Sequence, residues 1–253
     1  TAMLYLLDYG AGNIQSLANS LTKLGYTYEW VREPSDISKA DKLLFPGVGS
    51  FASAMDALHA KGYVEPLRAY IQSGKPLMGI CVGMQVLFEG SDESPGVKGL
   101  GVVPARVGRF ATQDAFGRKA VPHMGWSLAN VVEWDGCADQ RHELAKSYGM
   151  HDANPSHYYF VHSYRVAWDA NVAEWALTTT QYGNEIFVSS IQHANVFATQ
   201  FHPEKSGQAG LDLLAAWLQL EHVEPTTRVG RPVSSTEHMP TRRIVACLDV
   251  RSN

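Results

Sequence analysis

Residues 76–85, Pro-Leu-Met-Gly-Ile-Cys-Val-Gly-Met-Gln, restrict the possible folds more than any other stretch of the chain. An apolar run ends on Cys81, between Gly79 and Gly83. Met84, Val86, Leu87 and Phe88 then follow at helical spacing. The pattern predicts a buried strand, a sharp turn and a helix, with the cysteine at the corner. A corner residue of this kind is strained, and neighbours without Cβ atoms let the chain pass closely on either side. Sulfur placed there lies at a helix N-terminus, where the dipole and free N–H groups favour a thiolate. Two readings stay open for the motif alone: a nucleophile on an elbow, or a small cysteine packed between glycines.

The flanking chain fits an elbow in a parallel α/β layer. Residues 3–8 form an apolar strand, and Tyr9 to Asn13 a Gly-rich turn. Ile14, Leu17, Leu21 and Leu24 mark one face of a helix that stops at Gly25. Strands are expected at 26–31 and 42–45, and helices at 51–60 and 64–73. From about residue 99 the pattern changes. Apolar stretches at 100–110, 157–166, 175–181, 186–192 and 196–200 read as strands with few helices between them, and 207–220 as a closing amphipathic helix. The expected fold class is α/β: a mostly parallel central sheet with flanking helices, plus a smaller mixed or antiparallel sheet in the C-terminal half. Residues 222–240, rich in Pro, Ser, Thr and charge, read as a linker, and 241–253 as one further strand.

Bulk properties exclude several classes. The chain has 253 residues, 45% hydrophobic and 18% charged, enough for a large core. A net charge of −4 without a basic patch argues against nucleic acid. The three cysteines, Cys81, Cys137 and Cys247, are odd in number and far apart, which suggests neither disulfides nor a zinc site and points to a reducing compartment. No apolar run reaches the ~18 residues of a membrane span, and no leader segment is read at the start.

A cysteine nucleophile needs a base, and the base needs an orienting group. His202-Pro203-Glu204 follows the 196–200 strand and offers both, the i and i+2 side chains sharing one side of extended backbone. Alone it also reads as a surface loop. Attack on an amide needs donors for the oxyanion. Pro46-Gly47-Val48-Gly49 supplies a second Gly-rich strand end, beside the N–H of Val82, or is a plain turn.

Taken together and in this order, these motifs resemble the class I (triad) glutamine amidotransferases. The resemblance covers roughly residues 3–220, and its implied fold is the flavodoxin-like sheet of that family. It implies Cys81 as nucleophile, His202 as acid/base and Glu204 as its orienter. Gly47, Val48, Gly49 and Val82 would form the oxyanion site, Gln85 would hold the substrate glutamine, and Ser163-Tyr164 would hold that substrate's amino-acid end. No cofactor and no metal are implied. Asp8 to Asn13, Pro122-His123-Met124-Gly125-Trp126 and Tyr159 to Tyr164 are similar, more narrowly, to the glutaminase domains that pass ammonia to a (β/α)8 cyclase barrel in histidine biosynthesis. The 242–250 stretch resembles that barrel's first strand, with Asp249 on its catalytic aspartate. This implies a glutaminase domain at 1–221, a linker at 222–240 and a barrel remnant at 241–253, as in fused fungal and plant enzymes, cytoplasmic or plastidial. Asn13, Pro122, Met124, Trp126 and Lys205 are candidates for the barrel-facing surface, Met124 and Trp126 alternatively being core. Ser127 departs from the pattern, which has asparagine there. Residues 137–155 match nothing in the family and are read as a surface insertion. Rival readings are an anthranilate- or guanylate-type glutaminase, a non-catalytic domain on this fold, and a free-standing cysteine hydrolase.

Overall fold

A computed structural model describes residues 2–10, 14–115, 117–134, 140–150, 156–220 and 230–231. Asn13, Cys137, Cys247, Asp249 and nearly all of the expected linker and barrel strand lie outside them. The first half runs β1 (Leu4–Leu7), α1 (Gln15–Lys23), β2 (Glu29–Val31), α2 (Pro34–Lys39), β3 (Lys42–Gly47), α3 (Phe51–Ala60), α4 (Val64–Gln72), β4 (Leu77–Cys81), α5 (Val82–Gln85) and β5 (Phe88–Ser91). The second half begins with β6 (Val103–Arg109), β7 (Gln113–Asp114), β8 (Gly117–Arg118), β9 (His123–Leu128), β10 (Asn130–Val131), β11 (Glu133–Trp134) and α6 (Gln140–Ser147). It continues through β12 (His157–His162), β13 (Tyr164–Ala167), β14 (Ala176–Tyr182), β15 (Glu185–His193), β16 (Val196–Thr199), a 3-10 turn (Pro203–Lys205), α7 (Gly207–Gln219) and β17 (Gly230–Arg231).

Strands β2-β1-β3-β4-β16 pair in parallel and form one side of a mixed sheet that has 11 strands among the described residues. β1 and β4 are buried along their whole length, as parallel strands covered on both faces must be. The smaller antiparallel part expected in the C-terminal half is a wing of this same sheet. Its hinge is β15, which pairs with β14 along one edge and with β13 and then β16 along the other. The chain order reverses where β1 meets β3, and ligands of open α/β sheets bind at the carboxyl ends of the strands around such a point. Those ends carry Tyr9, Gly47, Cys81 and His202.

Several local expectations change. The helix after Cys81 is a single turn, Val82–Gln85, and Phe88 starts a strand. Pairing with β6 draws the backbone away: Phe88 lies opposite Val103, and Leu100 N–H bonds to Val86 O at 2.7 Å. So short a helix has almost no macrodipole to offer the sulfur, only its free N–H groups. Helix α2 was not anticipated. Pro34 starts it, and the Asp36 carboxylate accepts the N–H groups of Arg32 and Glu33. The expected 157–166 strand is broken at Ser163. β12 pairs with β9, whereas β13 pairs with β15 and β6. The 137–155 stretch is not simply a surface insertion, because Ala145, Tyr148 and Met150 are buried. Tyr148 stacks on Phe197 at 4.5 Å and its hydroxyl donates to Gln192 at 3.0 Å. Residues 137–139 and 151–155 of that stretch are not described.

Candidate active site

Cys81 closes β4 with φ 55° and ψ −108°, one of only two non-glycine residues with positive φ among those described. Such a conformation costs about 1–3 kcal/mol and persists only where packing over-determines it. Here both flanking glycines do so. A Cβ on Gly83 would stand 2.0 Å from Phe45 O, and one on Gly79 2.8 Å from Gly83 O. The elbow therefore folds only with these residues bare.

β3 ends against this corner. Gly47 is the register partner of Cys81, and a Cβ on it would meet Gly83 N at 2.5 Å. Gly49 has φ +100°, a left-handed conformation open to glycine. Val82, next to the sulfur, is buried, Val48 half-buried and Gly49 exposed.

His202 leaves β16 in extended conformation, with its N–H bonded to Tyr159 O at 2.9 Å. The residues after it are not extended. They form the 3-10 turn, begun by Pro203 and held by Ser206, whose Oγ donates to His202 O at 2.7 Å. This turn, rather than strand alternation, brings Glu204 Oε1 to 2.7 Å from His202 Nδ1, both side chains being buried. Burial alone would lower the pKa of His202. The charge of Cys81 and its hydrogen bond to the ring, with the carboxylate of Glu204, outweigh burial and push that pKa up to about 10. The imidazole is held in its charged form between sulfur and carboxylate.

Gln85 is buried, and its Nε2 donates to Tyr164 O at 3.1 Å and to Gln200 Oε1 at 2.9 Å. Gln200, fully buried, donates its own Nε2 to Cys81 Sγ at 3.6 Å. Two amides thus link the break at Ser163-Tyr164 to the sulfur. Sequence reading missed Gln200; a polar residue ending an apolar strand two positions before His202 was the available signal. The carbonyl of Ser163 accepts Phe110 N–H at 3.1 Å.

A second polar line runs from Tyr164. His162 Nδ1 lies 2.7 Å from Tyr164 O, His162 Nε2 lies 3.3 Å from His123 Nδ1, and His123 Nε2 lies 3.0 Å from Ser127 Oγ. Burial is the main cause that lowers the pKa values of His123 to about 2 and His162 to about 3, so both rings are neutral. Ser127 keeps a hydrogen bond at the position of the pattern's asparagine. Its strand, β9, carries the exposed pair Met124 (62%) and Trp126 (47%), which are not core residues. Trp126 meets Tyr159 edge-on at 6.1 Å, one residue contact away from His202. Pro122 and Lys205 are both exposed.

An elbow cysteine, a charged His–Glu pair and a Gly-rich strand end, all on one parallel sheet, define a class of protein. The chain belongs to the class-I glutamine amidotransferases, whose family model matches residues 5–218. Relatives narrow this to the imidazole glycerol phosphate synthase branch. The subunit HisH of Methanothermobacter thermautotrophicus is 41% identical over 218 residues, covering 86% of this chain and 98% of that subunit. Imidazole glycerol phosphate synthase hisHF of Emericella nidulans is 45% identical over 252 residues, and that of Schizosaccharomyces pombe 46% over 253. Each alignment covers 98% of this chain but 44% of the relative, so the chain spans less than half the length of these fused proteins. A solved glutamine amidotransferase has the same fold, with a TM-score of 0.57 at 21% identity, covering 85% of this chain and 98% of that one. PurLQS from Thermotoga maritima has it too, with a TM-score of 0.60 at 16% identity, covering 86% of this chain and 98% of that one.

Proposed function

We propose that this chain hydrolyses glutamine to glutamate and ammonia and delivers the ammonia to a cyclase (β/α)8 barrel. That barrel would make imidazole glycerol phosphate and aminoimidazole carboxamide ribonucleotide in histidine biosynthesis. The observation that carries the reading is the buried His202–Glu204 pair at 2.7 Å, with Cys81 beside it on a strained corner. The sulfur of Cys81 attacks the γ-carboxamide carbon, and the carbonyl electron pair moves onto oxygen. Backbone donors around Gly47, Val48, Gly49 and Val82 receive that charge. His202, steadied by Glu204, gives its proton to the departing ammonia. It then takes a proton from water, which cleaves the γ-glutamyl thioester and frees glutamate. Gln85 holds the substrate glutamine, and the Ser163-Tyr164 backbone holds its amino-acid end. No step needs a cofactor or a metal.

The domain plan follows the same reading: glutaminase at 1–221, linker at 222–240, and the first barrel strand with Asp249 at 241–253. Met124 and Trp126, with Asn13, Pro122 and Lys205, form the barrel-facing surface, since exposed apolar residues beside a site suit an interface core. The compartment is the cytoplasm, or the plastid stroma; the relative from Arabidopsis thaliana is named chloroplastic. Control lies in the 46–49 strand, where a rotated Gly47-Val48 peptide would present a carbonyl in place of an N–H.

Glutamate formation is measured for this chain alone, with the cyclase barrel, and with the barrel and its nucleotide. Strong turnover is expected only with the full set. Cys81→Ala is expected to abolish turnover, and a variant that retained it would return the chain to a non-catalytic reading.

A further inference from the structure

Tyr9 follows β1 at the same sheet end as Cys81, and the proposed mechanism does not use it. Its side chain is 3% exposed, and its ring meets Phe45 edge-on at 5.6 Å and 90°. The hydroxyl is buried and has no hydrogen-bond partner among the described residues. A phenylalanine would fill the same space without that cost, so packing gives no reason for the oxygen. Its surroundings give one. The hydroxyl lies 2.7 Å from the point where a Cβ on Gly47 would stand, and Gly83 N and Val82 Cβ lie 2.5 and 2.9 Å from that same point. Gly47 is in turn the register partner of Cys81. The hydroxyl is therefore seated in the corner where β3 and β4 end, beside Gly47 and Val82, two of the residues assigned above to the oxyanion.

We propose that the Tyr9 hydroxyl is a catalytic hydrogen-bond donor held for the negative oxygen that forms when Cys81 attacks a carbonyl carbon, its acceptor arriving with the reaction. The inference rests on the glutaminase reading. When the S–C bond forms, the carbonyl electron pair moves to oxygen. The O–H donates to that oxygen without transferring its proton, and the bond is lost when the carbonyl re-forms. Burial, and then the charge of Cys81, both raise the hydroxyl's pKa, so the group stays protonated and remains a donor across the working pH range. Donors already in place are effective because they need no reorganisation when the charge appears.

The test is Tyr9→Phe in the full-length enzyme, which removes one oxygen atom. Turnover of glutamine should fall by ~10²–10³-fold, the range for loss of one oxyanion donor, with KM little changed. The denaturation midpoint should stay level or rise, since a buried unpaired hydroxyl is removed. Alkylation of Cys81 by iodoacetamide, a displacement that forms no oxyanion, should keep its rate. Unchanged turnover overturns the proposal, and so does a parallel slowing of alkylation, which would place the hydroxyl's effect on the sulfur. A lowered denaturation midpoint also overturns it, showing that the oxygen serves the fold. Failure of the underlying reading is separate, because it appears as glutaminase activity surviving Cys81→Ala.

Discussion

Replacing Glu204 with glutamine changes the charge of the site at almost constant volume. In the native protein Glu204 Oε1 sits 2.7 Å from His202 Nδ1, while Oε2 is buried with no hydrogen-bond partner among the described residues. The amide of a glutamine can present its oxygen to Nδ1–H and preserve the tautomer. It then turns an NH2 group into the space of Oε2. The variant loses a charge-assisted bond, worth about 1–3 kcal/mol. Turnover should fall by about 10²–10⁴, as when other triads lose their acid. The linkage has a definite sign. The pKa of His202 is raised from 6.5 to about 10, so its contribution to stability is fully present below pH 6.5 and is lost as pH rises through about 10. At about 1.4 kcal/mol per tenfold change in proton affinity, the native contribution amounts to a few kcal/mol. Glu204→Gln removes one of its two sources and leaves that of Cys81, so the decline should begin at lower pH. Glutamate release and urea midpoints from pH 6 to 10, for wild type and variant, measure both effects. If the variant keeps turnover within threefold and the two pH–stability curves coincide, Glu204 does not hold the charged ring and the reasoning is refuted.

The other predictions concern packing, relay and surface. Gly83→Ala would put a methyl 2.0 Å from Phe45 O, so the backbone must shift; a stability loss of about 1–3 kcal/mol and loss of turnover are expected from melting curves and assay. Gln200→Leu removes the donor to Cys81 Sγ and the acceptor of Gln85, and should cost about 1–3 kcal/mol and at least ~10-fold in turnover; a variant that is merely destabilised refutes the relay. Met124→Glu with Trp126→Glu should change stability by less than about 0.5 kcal/mol, because both residues are exposed, yet abolish stimulation by the barrel. The lowered pKa values of His123 and His162 mean that the unfolded chain binds protons first, so stability falls as pH drops from 6.5 toward 3. His123→Asn should flatten that acid limb in denaturant titrations.

The sequence by itself determined the family and the class of fold. Gly79-x-Cys81-x-Gly83 specifies an elbow because no other residue fits beside Phe45 O, and apolar strands alternating with helices leave few alternatives to a parallel sheet. The spacing of His202 and Glu204 alone also fits a surface loop; the other motifs make them legible as a pair, and the 3-10 turn, not extended backbone, brings them together. Only tertiary structure decided what depends on partners distant in sequence. Phe88 is a strand because Val103 lies alongside it, and the chain breaks at Ser163 because its two sides pair with different strands. Gln200 belongs to the site because β16 lies beside β4, and Met124 and Trp126 face outward because of how β9 pairs with β12. A one-dimensional pattern records periodicity and steric need. It does not record which buried polar atoms find partners, and that is what separates Gln85 and Gln200, linked to the sulfur, from the Tyr9 hydroxyl, which waits for one.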